Sequence, residues 1–131
     1  MNDTAGMRFT RSHEWVLPKG RSIRVGITDY AQHLLGDVTH VDLPVPDEHH
    51  FEAREEIAVI ESLRTTFDCH APVAGRIVGI NNDLLARPEL VSEDPYDTGW
   101  LFELIPDDAA DVDDLMDVDE YEGLVPEEEE E

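Results

Sequence analysis

Apolar residues in this chain fall mostly in short runs and alternations, the period-2 mark of strands rather than the 3.6-residue mark of helices. Residues 7–10 and 13–17 read as the first strands, and Pro18, Lys19 and Gly20 supply a turn before a strand over 22–27. Residues 38–43 set Val38, His40 and Asp42 against Thr39, Val41 and Leu43, which predicts a half-buried strand closed by Pro44 and Pro46. After a polar connection over 47–56, the runs 57–60 and 67–70 predict a hairpin with Arg64 near its tip. Pro72 and Gly75 then lead into a strand around 76–80. A last strand is expected over 100–105.

Helical signals are fewer and local. Thr28 is a good N-cap, Asp29 suits the first turn and Gly36 supplies a stop, so a short helix through about Leu35 is predicted, with Tyr30, Ala31, Leu34 and Leu35 on one apolar face. Asn81, Asn82 and Asp83 turn the chain, and a helical turn is expected around 88–91. Asp107 or Asp108 can cap a helix bearing Val112, Leu115 and Met116. Asp117 with Glu120 reads as a capping box opening a final helix that presents Tyr121, Leu124 and Val125. The division expected is an N-terminal extension over 1–6, one mainly β domain over 7–125, and a disordered acidic tail over 126–131.

Three blocks carry a family likeness. Glu61-Ser62-Leu63-Arg64 with Asp68, Ala71-Pro72 and Gly75 resembles the lipoyl-attachment hairpin of the glycine cleavage system H-protein family. His13-Glu14-Trp15, then Val25-Gly26-Ile27-Thr28-Asp29-Tyr30-Ala31-Gln32 with Leu35-Gly36-Asp37, resembles a second block. Ser92-Glu93-Asp94-Pro95-Tyr96 with Gly99-Trp100-Leu101 resembles a third, with serine where asparagine is usual. Glu48 and Arg54 stand near positions where the family has glycine. The likeness spans about 8–125. It implies a barrel-sandwich of antiparallel sheets with a short helix after the second hairpin, C-terminal helices and a projecting turn at 63–66.

In that family a lysine at the hairpin tip carries lipoate, and the position matching it here is Arg64. A guanidinium is permanently charged and delocalised, so it cannot form the lipoyl amide. The only lysine is Lys19, in another hairpin. The expectation is therefore a non-carrying adaptor or regulator with no cofactor. One alternative is an aminomethyl carrier of glycine cleavage lipoylated at Lys19. The other is an interaction module redeployed in sulfur or lipoate metabolism. The resemblance implies glycine decarboxylase, aminomethyltransferase and dihydrolipoyl dehydrogenase as protein partners.

Candidate partner contacts are the tip residues Glu61, Ser62, Leu63, Arg64, Thr65, Thr66 and Phe67. Arg64 is a spent attachment site, an anion-recognising tip with a planar donor fork, or an ordinary solvent-facing residue; Thr65 and Thr66 either stiffen the tip or continue the strand; and Phe67 is either contact surface or core. Cys69 beside His70 suggests a nucleophilic pair, but neighbouring strand residues face opposite ways, so core packing is expected of Cys69. His49 and His50, flanked by Glu48 and Glu52, fall short of the converging ligands a metal site needs, and no metal is expected. No catalytic fingerprint is present, which points to a carrier-like or adaptor protein and not an enzyme.

Charge narrows the partners further. The net charge is −23, and the 44 residues from Pro88 hold 19 of the 32 acids and no Lys or Arg. Such a surface repels nucleic acid and anionic membranes. It fits solubility, a high-salt cytoplasm, or an acidic docking face for a basic partner. The single cysteine precludes an intramolecular disulfide. With no long apolar stretch and no signal pattern, a cytoplasmic monomer is expected.

Overall fold

A computed structural model describes residues 6–125 except 46 and 48. Residues 1–5 of the extension expected over 1–6, Pro46, Glu48 and the acidic tail over 126–131 lie outside the described residues.

Among the described residues nine strands form two antiparallel sheets, β1 (Arg8–Phe9), β2 (Glu14–Lys19), β3 (Ser22–Ile27), β4 (Val38–Asp42), β5 (His50–Phe51), β6 (Glu56–Ser62), β7 (Thr66–His70), β8 (Gly75–Ile80) and β9 (Phe102–Pro106). One sheet runs β1-β2-β3-β9-β8-β5 and the other β4-β6-β7. Their inner faces close on one core that includes Val25, Ile27, Val41, Ile60, Cys69, Ile77 and Leu104. This is a barrel-sandwich arrangement, mainly β with short helices at its margins.

Helix α1 (Asp29–Leu35) starts where the sequence places it, because the Thr28 hydroxyl accepts from the Ala31 N–H at 3.3 Å. Gly36 ends it at φ 79°, a backbone only glycine takes without strain. Ala31 and Leu35 are buried, but Leu34 is 51% exposed, so the expected apolar face is narrower by one leucine. Helices α2 (Asp83–Ala86), α3 (Leu90–Glu93), α4 (Ala110–Asp113) and α5 (Val118–Leu124) are short. In α5 both bonds of the Asp117–Glu120 capping box form, at 2.9 and 3.0 Å. Helix α4 stops at Asp113, so Leu115 and Met116 lie beyond it, and Met116 instead bridges β1 at Phe9.

Two strand readings change. The alternation in β4 breaks at a bulge between Val38 and His40, which leaves Val38 and Val41 buried and both Thr39 and His40 exposed. The polar connection over 47–56 contains β5, which pairs with β8 through His50↔Arg76 and Phe51↔Gly75. Two residues are too short to show a period.

A second cluster of Met7, Phe9, Trp15 and Tyr121 seats α5 on the N-terminal strands. Gly26 opposite Trp15 has to be glycine, since a Cβ would stand 2.6 Å from the indole ring. Arg54, near an expected glycine position, has φ 75°, held by its N–H to the Ala71 carbonyl at 2.8 Å.

Candidate functional site

The β6–β7 hairpin ends in a turn organised by Ser62. Its hydroxyl accepts from the N–H groups of Arg64 (3.1 Å) and Thr65 (3.0 Å) and donates to the Thr65 carbonyl (3.0 Å). The Leu63 N–H reaches the Asp37 carbonyl at 3.2 Å, tying the turn to the chain just past α1. Leu63 is 81% exposed, and Glu61, Arg64, Thr65 and Thr66 are exposed as well. Phe67 is half-buried and packs on the core.

Arg64 is exposed but folds back onto the end of α1. Its Nη1 donates to the Leu34 carbonyl at 3.4 Å. The Nη2, Cζ and Nε atoms lie 3.4, 3.5 and 3.7 Å from where a Gly36 Cβ would stand, so the guanidinium lies face-on over the glycine backbone. A cation thus sits at the negative end of α1 and uses a carbonyl that the helix leaves over.

Lys19 is exposed and closes the β2–β3 hairpin opposite Ser22, next to Gly20 at φ 67°. It presents a primary amine at a hairpin end.

A pocket of about 210 Å³ opens between the 10–14 segment, residues 70–72 and residues 114–116, with Arg11 and Arg54 in its lining. Glu14 lines it with a fully buried carboxylate. One oxygen accepts from the Thr10 and Ser12 hydroxyls, the latter at 2.6 Å. The other accepts from the His70 N–H at 2.9 Å and stands 3.3 Å from its Nδ1. A buried charge costs several kcal/mol unless its lone pairs are filled, and here donors meet both oxygens. Glu14 stands out in the sequence only as part of the His13-Glu14-Trp15 block, and Thr10 and Ser12 carry no site signal of their own. The hydroxyls at two and four residues before Glu14 were the available signal, and the pairing with His70, 56 residues on, was not readable.

The remaining candidates are structural. Cys69 is fully buried, and burial pushes its thiol well up, so it is core and no nucleophile; His70 turns to Glu14 instead. His50 bonds Asp107 at 2.8 Å, which raises its pKa, and His49 sits edge-on to Phe51. Among the described residues no group of three or more His, Cys, Asp or Glu is placed to hold a metal, and no helix is long and apolar enough to cross a membrane.

A closed pair of antiparallel sheets with a projecting, internally bonded hairpin defines a carrier-type barrel-sandwich domain. The Glycine cleavage H-protein family matches residues 7–128, and the chain belongs to that family. It is 49% identical over 117 residues to a Glycine cleavage system H protein of Thermus thermophilus, covering 89% of this chain and 91% of that one. It is 44% identical over 128 residues to one of Pseudoalteromonas atlantica, covering 97% and 98%. The crystal structure of a glycine cleavage system H protein from Mycobacterium marinum superposes with a TM-score of 0.80 at 34% identity, covering 90% of this chain and 94% of that one.

Membership corrects two expectations. A non-carrying adaptor and an absent cofactor do not agree with a chain that matches, over almost its whole length, a family of lipoyl carriers that are not enzymes. A guanidinium at one tip decides which atom cannot form an amide; it does not decide whether the chain forms one elsewhere.

Proposed function

We propose that this protein is the H component of the glycine cleavage system, an aminomethyl carrier that works in the cytoplasm. What supports the reading is the family match across residues 7–128 together with near-full-length relatives that bear the H-protein name. Its partners are glycine decarboxylase, aminomethyltransferase and dihydrolipoyl dehydrogenase, met in turn through the tip formed by Glu61, Ser62, Leu63, Arg64, Thr65, Thr66 and Phe67. When bound, lipoate would supply a disulfide that opens as one sulfur takes up the aminomethyl group and the other becomes a thiol, and it would be left as a dithiol once the group is handed on.

Arg64 stands at the position matching the lipoyl-lysine and does not fit the group, because its nitrogens are delocalised and its plane is laid over Gly36. Lys19 fits. It is the only lysine, its amine is the right acceptor for an amide, and it stands exposed at a hairpin end. In this reading Lys19 holds the cofactor and the β6–β7 tip keeps the partner contacts.

Coexpression with a lipoyl ligase, followed by intact-mass measurement and peptide mapping, tests this. One lipoyl group on the peptide containing Lys19, lost in Lys19→Arg, is the expected result. A chain that never gains lipoyl mass would overturn the carrier reading.

A further inference from the structure

We propose that Leu34, Leu63 and the Arg64 guanidinium form one docking patch, and that it takes a protein partner presenting a carboxylate beside an apolar hollow. The proposal deepens the carrier reading and rests on it.

Two segments distant in sequence make the patch. The end of α1 brings Leu34 and the hairpin tip brings Leu63 and Arg64. They are stitched by the Arg64 Nη1 bond to the Leu34 carbonyl and the Leu63 N–H bond to the Asp37 carbonyl. Both leucines are large exposed hydrophobics, at 51% and 81%. The helix buries Ala31 and Leu35 and leaves Leu34 on its outer side.

Charge selects the partner. The chain carries 32 acids, yet no carboxylate of the described residues pairs with Arg64. Arg24 by contrast is bound to Glu103 at 2.9 Å. The guanidinium spends one N–H on a long bond and keeps its other donors for a ligand. Its plane lies over Gly36, which orients the fork toward a bidentate partner. A cation bonded to the Leu34 carbonyl and next in sequence to the exposed Leu63, on a strongly anionic chain, therefore matches a carboxylate set in apolar surface, the reverse of the basic face that the net charge alone suggests.

The test is titration calorimetry of the lipoylated chain against purified glycine decarboxylase, and then the other two enzymes, from the same genome. Arg64→Gln is expected to weaken the decarboxylase complex about tenfold and to flatten its salt dependence, and Leu63→Ala and Leu34→Ala to weaken it several-fold. Arg87→Gln removes one charge from the turn between α2 and α3, where the guanidinium pairs with Glu89, and is expected to bind like the wild type. Unchanged affinity and salt slope in Arg64→Gln and both leucine variants, with the wild type binding, overturn the patch alone. A wild-type chain that binds none of the three enzymes overturns the carrier reading and the patch with it. Sedimentation showing a wild-type dimer that Arg64→Gln dissociates would assign the patch to a second copy of the chain and overturn the proposal. Because Leu34 lies on α1 and Leu63 on the hairpin, the two leucine variants keep the test valid if Arg64→Gln displaces the tip.

Discussion

At the scale of single residues, the chemistry of the tip turns on whether position 64 offers an amine or a guanidinium. Arg64→Lys places an amine on the turn that Ser62 organises. With a lipoyl ligase it is expected to gain a lipoyl group at residue 64, read by peptide mapping; failure would mean that the turn itself no longer suits the ligase. Gly36 carries the guanidinium and has φ 79°. Gly36→Ala forces a side chain into left-handed backbone and puts its methyl 3.4 Å from Arg64, so it should cost about 1–2 kcal/mol in urea unfolding. The glycine stop was legible in the sequence. The cation stacked on it was not, because residues 36 and 64 are brought together only by the fold.

At the scale of elements, α5 is the part whose attachment depends most on polar groups. The Tyr121 hydroxyl lies 2.7 Å from the Thr28 hydroxyl and 2.8 Å from His13 Nδ1, and its ring stacks on Phe9 at 4.8 Å. Burial raises the Tyr121 pKa, so the phenol stays protonated and bonded. Thr28 thus caps one helix and anchors another. Tyr121→Phe leaves the buried Thr28 hydroxyl without that partner and should lower stability by about 1 kcal/mol, with faster amide exchange over 118–124. Burial also lowers the His13 pKa, so the folded chain binds fewer protons there than the unfolded one. The stability it contributes is full above the ordinary histidine range and is lost as the pH falls through that range. Melting temperature followed from neutral to mildly acid pH should fall less steeply in His13→Asn, a residue that tolerates the φ of 74° at this position. His50 acts in the other direction: Asp107 raises its pKa, so its contribution is present in acid and fades as the pH rises through the raised value. The capping box of α5 could be read from Asp117 and Glu120 alone, since a cap is a local bond between residues three apart. The docking of α5 could not, because its partners His13 and Thr28 lie about 100 residues away.

At the scale of the whole molecule, a net charge of −23 on 131 residues makes self-repulsion a continuous load on the compact state. Added salt screens that repulsion over a Debye length that shrinks to about 10 Å at 0.1 M. The urea midpoint is therefore expected to rise with sodium chloride from the millimolar to the molar range, whereas sucrose at matched osmolality should not reproduce the low-salt part of the rise. No change between low and moderate salt would show that the acids are already balanced by local pairing.

The sequence by itself determined the strand-rich class, the ends of α1 and α5, the burial of Cys69 and the family, because these rest on period, on caps closed within four residues, and on motif blocks. Only the tertiary structure decided that β5 exists, that Leu34 faces out, that Glu14 is buried against His70, and that Arg64 lies over Gly36. Each of these is a contact between segments far apart along the chain, and its energy belongs to the pairing rather than to either segment.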